Sequence, residues 1–346
     1  MAVVKADGYG HGAVEVAQTA IAAGATWLGT AHITEALRVR EAGITAPLLA
    51  WLHTINTPFQ AAIEHNIDIG VSGPELEAVA EAAGNADLPA RVHLKIDTGL
   101  SRNGAVPEIW DDLCKRASEL QQAGTLRVVG VFTHFANADD PEGDADVDAQ
   151  LSLYHESVEI ARKHGLTVDV RHVANSPALL SRPDTHLDMV RAGVAIYGLS
   201  PFPDRTAQDL GLRPVMSFGT TVANNKPADV GTGVSYGYAY RCELPTRLAL
   251  IPAGYADGVP RTAVGAPVWI QGKFYRVAGT IAMDQFVVDL QTERNDVTTA
   301  PVGAEVELFG EKSGISSDAW ALAAGTINYE LVTRIGCRVP RVHKQW

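Results

Sequence analysis

The sequence predicts an α/β plus β fold, with an N-terminal (β/α)8 TIM-type barrel and a C-terminal mostly β domain. Two observations support this fold class. Up to about residue 210, short apolar runs typical of buried strands alternate with amphipathic stretches of helical spacing. From about residue 211, short β-type runs are separated by Gly, Pro and Asn. We therefore predict a barrel domain over 1–210 and a mostly β domain over 211–346.

Eight apolar runs supply the predicted barrel strands: AVVKA, TWLGT, PLLAW, IDIGV, RVHLKID, RVVGVFT, RHVAN and DMVRAG. Stretches such as AVEVAQTAIAAG, TEALRVREAG and PELEAVAEAAG lie between them, have helical spacing and end on glycine, a common helix stop. Repeated strand–helix units imply parallel strands joined by crossovers. A doubly wound open sheet is the competing interpretation, because it produces the same alternation.

The second domain is predicted from runs that show strand character without a helical period. These runs are TTVANNK, RLALIPAG, PVWIQGKFYRVAG, FVVDLQ and AEVELFG. Helical spacing returns only in DAWALAAGTINYELVTRIG. We therefore expect one late helix in an otherwise β-rich domain.

Composition excludes several classes of function. The chain has a formal charge of −12 at pH 7 without a basic block, so nucleic acid and anionic membranes are not expected partners. No apolar run approaches the roughly 18 residues of a membrane span. The scattered cysteines Cys114, Cys242 and Cys337 and the lack of a signal-peptide pattern predict a cytoplasmic protein. A small molecule is the expected partner.

Metal binding is not predicted. No His/Cys cluster has the spacing of a zinc site. Asp144, Asp146 and Asp148 resemble the start of a calcium loop, but Ala149 stands where that loop needs glycine. We interpret this segment as a solvated acidic loop.

Polar residues follow the predicted barrel strands at the ends where barrel enzymes carry their chemistry. We expect these residues to lie close together at one end of the barrel, which we call its mouth. They are Lys5, Lys95, Asp97, Arg102, His134, Asn175, Ser176, Arg191 and Gly193.

Lys5 is a candidate for a Schiff base with an aldehyde. A lysine in an apolar site loses its charge more easily than a solvated one, and the uncharged amine attacks carbonyls. The alternative is a lysine whose amine simply extends to solvent at a strand end.

The loops ANSPA and RAGVAIYG follow predicted strands seven and eight, where barrels often bind phosphate. The Ser176 hydroxyl and the backbone around Gly193 could contact an anion, and Ser176-Pro177 could begin a helix facing it. Alternatively, Ser176 only caps that helix. A Schiff-base lysine combined with a phosphate site suggests pyridoxal 5'-phosphate (PLP).

The stretch VVKADGYGHG resembles the cofactor-lysine signature of alanine racemases. Further motifs similar to that family follow in its order: HLKIDTGLSRNG, FTHFANAD, VANSPA, VRAGVAIYGLSP, GVSYGYAY, GYADGVPR, GTIAMDQ and TINYELVTRI. The resemblance covers essentially the whole chain. It implies a PLP-dependent homodimer that interconverts L- and D-alanine and supplies D-alanine for peptidoglycan. In this family the partner's β domain completes each barrel mouth.

The resemblance implies two catalytic bases, Lys5 on one face of the substrate and Tyr236 of the partner subunit on the other. It also implies that Arg191 faces the pyridine nitrogen, Arg102 the phenolic oxygen, and that His134 links Arg191 to the partner's Tyr236. The full cofactor-binding set would be Lys5, Tyr9, Arg102, His134, Asn175, Ser176, Arg191, Gly193, Val194 and Tyr329.

Substrate binding would fall to Arg102 together with Tyr255 and Met283 of the partner subunit. Lys95 matches a lysine that is often carbamylated in the family, and the resulting anion would position Arg102. Trp51 occupies a position at the pocket rim that is usually aliphatic.

Family members carry a further strand and helix before the lysine strand, so we expect the natural chain to begin earlier than Met1. Two alternative functions stay open. One is a racemase of serine or of broader amino-acid specificity on the same fold. The other is a non-catalytic PLP-carrier protein, against which GVSYGYAY argues because such carriers lack the β domain.

Overall fold

The computed structural model describes residues 1–54 and 56–344, and the chain forms two compact units. The first unit comprises Met1–Gly8, Gly12–Ile196 and Ser200–Leu212. The second comprises Tyr9–His11, Tyr197–Leu199 and the chain from Arg213 onward. No helix in the described residues has both the length and the apolar character needed to cross a membrane.

The first unit is built on a parallel sheet, which has seven strands within the described residues. The strands are β1 (Ala2–Val3), β2 (Leu28–Thr30), β3 (Leu48–Ala50), β4 (Asp68–Val71), β5 (Ala90–Lys95), β6 (Leu126–Phe132) and β7 (Val170–His172). They neighbour one another in chain order. This order confirms the barrel-type fold and excludes the doubly wound sheet, in which the strand order reverses.

The eighth predicted run does not form a full strand, so that prediction was wrong. Residues 190–192 nevertheless lie between β7 and β1, because Ala192 N–H donates to Met1 O at 3.0 Å and Arg191 N–H donates to Ala174 O at 3.0 Å. Ala2 and Ala192 form a parallel bridge. The segment is short because a 3-10 turn, Val194–Tyr197, begins almost at once. The segment therefore closes the barrel with a few hydrogen bonds to β1 and one to the residues that follow β7.

Helices separate the strands as the spacing predicts. They are Ala13–Ala22, Ile33–Glu41, Phe59–Glu64, Glu75–Ala86, Pro107–Gln122, Asp144–Lys163 and Ser176–Ser181, with a 3-10 turn at Pro183–Thr185. Gly24 and Gly43 follow the first two helices in left-handed conformation, as predicted. Gly84 does not end its helix; the helix runs to Ala86, and Asp87 takes the left-handed position at φ 52°. That glycine-stop prediction was wrong.

Strand side chains fill the core of the first unit. Leu28, Leu48, Ile69 and Val92 are fully buried, and each stabilises the fold by roughly 1.5–3 kcal/mol through removal of apolar surface from water. Polar side chains also lie in this interior: Asp68, His93, His172 and Arg191. Such groups need hydrogen-bond partners to offset the cost of burial.

The second unit is mostly β, as predicted, with antiparallel pairing. Its strands are Phe218–Thr221, Asn224–Ala228, Gly233–Val234, Tyr240–Arg241, Thr246–Ile251, Pro267–Ile270, Lys273–Arg276, Phe286–Asp289 and Glu305–Phe309. Short 3-10 turns occur at Tyr236–Tyr238 and Tyr255–Asp257. The prediction of a single late helix was wrong. The described part of this unit has two α-helices, Ser317–Ala324 and Asn328–Thr333, because Gly325 ends the first in left-handed conformation (φ 71°).

Candidate active site

A left-handed turn follows β1 and begins directly after Lys5. Ala6, Asp7, Gly8 and Tyr9 have φ between 51° and 61°. This conformation costs roughly 1–2 kcal/mol for each residue that carries a Cβ. The surrounding structure must therefore hold the turn in place.

Side-chain carboxylates anchor this turn. The Ala6 N–H donates to Glu35 Oε1 at 2.7 Å, and the other oxygen of Glu35 accepts the N–H of Ala31 at 2.9 Å. Asp7 Oδ1 accepts the N–H of Ala13 at 3.1 Å. Glu35 thus ties the segment after Lys5 to the end of β2.

Lys5 lies in a cationic environment. Burial lowers its pKa, and the charges of Arg102 and Arg191 lower it further, whereas Glu35 raises it. The net direction is downward, so the neutral amine is favoured more than in a solvated lysine. This is the protonation state that a nucleophile or a base requires.

Lys95 ends β5 and is almost fully buried. Burial, followed by the charges of Arg191 and Arg102, lowers its pKa to about 8. Its Nζ lies 5.5 Å from the centre of the Phe132 ring. Lys95 therefore adds a second amine that deprotonates readily.

Arg102 lies in a loop, residues 97–105, that is held by hydrogen bonds. Its base is closed by the Asp97 N–H to Ala105 O at 2.8 Å and the Ala105 N–H to Lys95 O at 2.8 Å. Inside the loop, Asp97 Oδ1 accepts the N–H groups of Gly99 and Ser101 at 2.9 and 3.1 Å. Asp97 thus acts on the loop backbone, and the Arg102 side chain is exposed.

Arg191 is buried, and acceptors occupy both of its terminal nitrogens. Nη1 donates to His172 O at 2.8 Å and Nη2 to Thr133 O at 2.8 Å and Val173 O at 3.0 Å. Burial lowers its pKa to about 10. The carbonyls therefore fix the guanidinium within the barrel.

His134 lies 3.2 Å from Arg191, measured from Nδ1 to Nη2. Arginine can only donate, so His134 accepts at Nδ1 and its neutral form carries the proton on Nε2. Burial and then the charge of Arg191 hold the pKa of His134 well below its ordinary value. His134 is therefore a neutral imidazole that can donate a hydrogen bond from Nε2.

The predicted anion loops come together. Ser176 Oγ accepts the N–H of Gly193 at 2.9 Å and, more weakly, that of Ala195 at 3.4 Å. The helix cap is Asn175, whose side chain accepts the Ala178 N–H at 3.2 Å, so the idea that Ser176 only caps the helix is wrong. Among described residues the Ser176 hydroxyl hydrogen has no acceptor, which leaves it for a ligand.

The acidic segment from residue 144 is the start of the helix Asp144–Lys163, so its interpretation as a loop was wrong. It neutralises a cation. Arg182 Nη1 lies 3.1 Å from Asp144 Oδ1, and Nη2 lies 2.5 Å from Asp148 Oδ1. In the described part of the chain, no group of three or more His, Cys, Asp or Glu side chains is arranged to hold a metal ion.

In the second unit, Tyr9 is buried and its ring lies 6.3 Å from that of Tyr329 and 4.8 Å from that of Tyr197. Burial raises the pKa of Tyr9 to about 12. Its hydroxyl therefore stays protonated and can donate a hydrogen bond at neutral pH.

Three further predicted residues form an exposed group on the second unit. Tyr236 is 72% exposed, Met283 52% and Tyr255 39%. Their segments are joined by hydrogen bonds, because Thr280 Oγ1 donates to Tyr236 O at 3.1 Å, Tyr255 N–H to Ala282 O at 3.1 Å and Ala256 N–H to Met283 O at 2.9 Å. We call Tyr236, Tyr255 and Met283 the exposed pocket residues.

The prediction missed Glu35, Asp68, His93 and His172. Glu35 had a sequence signal, since a glutamate three residues after a helix cap is typical of a capping box. The other three lie within apolar strands and form contacts across the barrel, which no local pattern indicates.

Buried cations such as Lys95 and Arg191, near the strand ends of a parallel barrel, are typical of an enzyme that binds an anionic ligand there. Comparison with known proteins narrows this class. Residues 1–201 match the model of the alanine racemase N-terminal domain and residues 215–343 that of the alanine racemase C-terminal domain. The chain therefore belongs to the alanine racemase family, and it is an amino-acid racemase, an isomerase.

Similar proteins cover the chain almost completely. The alanine racemase of Thermobifida fusca is 49% identical over 99% of this chain and 91% of its own length. The crystal structure of alanine racemase from D-cycloserine-producing Streptomyces lavendulae has a TM-score of 0.96 at 49% identity, covering 100% of this chain and 90% of that one. The biosynthetic alanine racemase of Pseudomonas aeruginosa has a TM-score of 0.85 at 35% identity, covering 100% and 92%.

Proposed function

We propose that this protein interconverts L- and D-alanine with PLP as its cofactor and with two bases, Lys5 and Tyr236 of the partner subunit. The observation that carries the proposal is the buried cationic site around Lys5 in a chain of the alanine racemase family. Supply of D-alanine for peptidoglycan in the cytoplasm is part of the proposal, as is a domain boundary near residue 210.

The donor set fits PLP. The site offers several cations around Lys5, and within the described residues Lys95 has no acidic partner in an ion pair. The Ser176 hydroxyl, with the backbone of Gly193 and Val194, would bind the phosphate together with Tyr9 and Tyr329. Asn175 would support this loop through its cap, and Arg102 would bind the phenolic oxygen. An anionic ligand of this kind would neutralise the site.

When bound, PLP supplies an electron sink that stabilises negative charge at the α-carbon of the amino acid. Lys5 Nζ would take or return the α-proton on one face. The hydroxyl of Tyr236 of the partner subunit would do the same on the opposite face. One base on each face is what inversion of configuration requires, because removal and return on one side restores the same isomer.

Arg191 has a different part in the proposal. Its Nε–H would donate to the pyridine nitrogen, and a guanidinium keeps its own proton. The pyridine nitrogen would then stay unprotonated, which limits the charge drawn away from the α-carbon. His134, held by Arg191, would direct its Nε2–H to the partner's Tyr236.

We further propose a homodimer in which the exposed pocket residues of each chain complete the partner's site. Tyr255 and Met283 of the partner subunit, with Arg102, would bind the alanine carboxylate and limit the pocket to small side chains. Lys95 would carry a carbamate, formed when its neutral amine adds to CO2 and loses one proton to solvent, and this anion would position Arg102.

The test is to incubate the pure PLP-loaded protein with L-alanine in D2O. We expect D-alanine with deuterium at the α-carbon, detected by chiral chromatography and mass spectrometry. L-serine in a parallel reaction measures substrate breadth; faster turnover of serine than of alanine would favour the broader racemase. Absence of any α-deuterated product from either amino acid would refute racemisation and favour the carrier.

A further inference from the structure

A continuous series of hydrogen-bonded polar side chains runs from Arg191 through the interior of the barrel. Arg191 Nη1 lies 3.2 Å from His172 Nδ1, and His172 Nε2 lies 3.0 Å from His93 Nδ1. His93 Nε2 lies 3.1 Å from Asp68 Oδ2. We call Arg191, His172, His93 and Asp68 the interior chain.

The interior chain is shielded from water. His93 and His172 are fully buried, Asp68 is 2% exposed and Arg191 is 6% exposed. Buried hydrogen bonds are strong, and a mismatched donor or acceptor at such a site is costly. The pattern of protons along the chain is therefore well defined.

The positions of the histidine protons are fixed by the two ends of the interior chain, a donor at Arg191 and an acceptor at Asp68. Arg191 can only donate, so His172 must accept at Nδ1 and carry its proton on Nε2. His172 then donates to His93 Nδ1, so His93 also carries its proton on Nε2. That proton is donated to Asp68, and an ionised carboxylate can only accept.

Arg91 secures the far end. Its Nε lies 2.6 Å from Asp68 Oδ1 and its Nη2 lies 3.1 Å from Oδ2. Burial raises the pKa of Asp68, but the hydrogen bonds from His93 and Arg91 outweigh it and the net pKa is below the ordinary value. Asp68 is therefore the ionised terminus of the chain.

At the near end, one hydrogen of Arg191 is left over. Its Nη1 and Nη2 hydrogens meet His172, His134 and the carbonyls of the barrel. For its Nε–H there is no acceptor in residues 1–54 or 56–344. The contacts that hold the Nη groups thus select Nε–H as the donor for a ligand.

We infer that His172, His93 and Asp68 are positioning residues for Arg191: their single proton order orients the guanidinium so that Nε–H points to the ligand. This inference rests on the proposed function only in taking the pyridine nitrogen of PLP as that ligand. Asp68 acts through two neutral imidazoles and never contacts substrate or cofactor.

The variant Asp68→Asn reverses the order. If the Asn oxygen stays at the Oδ1 position facing Arg91 Nε, its NH2 group takes the Oδ2 position, and the partly exposed Arg91 Nη2 must turn away to solvent. His93 then faces that NH2 group, so it must accept at Nε2 and carry its proton on Nδ1. His172 must then also accept at Nε2 and carry its proton on Nδ1. Its Nδ1–H faces the Nη1 hydrogens of Arg191, so two donors meet without an acceptor. The matched control is Asp169→Asn. Asp169 lies directly before β7, much as Asp68 begins β4, and it pairs with Arg127 at 2.6 Å, but it is not part of the interior chain.

The first readout is the histidine tautomer, measured by long-range 1H–15N NMR with signals assigned through His172→Gln and His93→Gln. In the wild-type protein, with or without PLP, we expect both rings as Nε2–H tautomers at neutral pH. In Asp68→Asn both should become Nδ1–H, and in Asp169→Asn neither should change. An Nδ1–H tautomer in the wild type overturns the inference even if Asp68→Asn fails to fold.

The second readout concerns the ligand. In holoenzyme with 15N-labelled PLP, Asp68→Asn should shift the pyridine 15N signal and lower kcat with little change in KM. We expect a decrease of about 10-fold to 100-fold, by analogy with the loss of a carboxylate behind a metal-bound histidine. Equal kcat and 15N values in Asp68→Asn and Asp169→Asn would overturn the positioning role. Expected tautomers in a protein that does not racemise alanine would instead refute the proposed function alone.

Discussion

At the scale of single residues, Tyr236→Phe tests the second base. We expect PLP to stay bound while alanine racemisation falls by roughly 10²–10⁴, the contribution of a general acid–base group. Tyr238→Phe is the matched control, because Tyr238 lies in the same turn and is also exposed. Racemisation rates that are equal in the two variants would contradict the role of Tyr236.

Lys5 is tested by reduction with borohydride, which makes the bond between PLP and a lysine permanent. Mass spectrometry of the digested wild-type protein should place the adduct on Lys5. Lys95→Met should retain it, and Lys5→Ala should lose it. An adduct on Lys95 in the wild type would contradict the assignment, since that amine also has a lowered pKa.

Lys95 gives a pH dependence with a defined sign. Its pKa is about 8 in the folded protein and about 10.5 when solvated, so between these values the unfolded chain binds more protons. The free energy of unfolding should therefore rise with pH across this window in wild type relative to Lys95→Met. Urea unfolding at several pH values in bicarbonate-free buffer measures it; parallel curves for the two proteins would contradict the lowered pKa.

Sequence reasoning could propose the residues at strand ends because barrel enzymes carry their chemistry there. Lys5, Lys95 and Arg191 could be named without a structure. Asp68 and His93 could not, since their significance arises from contacts between strands far apart in the chain.

At the scale of elements, the left-handed turn after Lys5 can be tested through backbone strain. Ala6→Gly should relieve roughly 1–2 kcal/mol of strain and lose roughly 0.5–1 kcal/mol to unfolded-state entropy. We expect the free energy of unfolding to rise by up to about 1 kcal/mol. Ala78→Gly, exposed within the right-handed helix Glu75–Ala86, should lower it by about the same amount. If Ala6→Gly lowers the free energy of unfolding as Ala78→Gly does, backbone strain at Ala6 is contradicted.

Periodicity predicted the elements that follow one repeating pattern, and it failed where local contacts decide. Gly84 is tolerated inside its helix because Asp87 supplies the left-handed end instead. Gly8 and Gly10 adopt positive φ at little cost, but left-handed Ala6, Asp7 and Tyr9 depend on the carboxylates that hold the turn. The eighth strand is shortened by the 3-10 turn that follows Gly193.

At the scale of the whole molecule, the proposed site needs residues from two chains. Tyr236, Tyr255 and Met283 are exposed on the second unit, and their segments hydrogen-bond to one another. Exposure of large side chains in one group is what a surface completed by a partner would show. Lys5 belongs to the first unit and Tyr236 to the second, and in the proposed homodimer the two bases of one site would come from different chains.

Mixing two inactive variants tests this arrangement. Lys5→Ala and Tyr236→Phe homodimers should each racemise alanine poorly, because every site lacks one base. In a twofold heterodimer, one site carries both defects and the other carries neither, so equal random mixing should restore about one quarter of wild-type activity. Exchange is achieved by mild denaturation and joint refolding, with each variant refolded alone as control. Activity that stays at the level of the separate variants would show that Lys5 and Tyr236 serve a site within one chain.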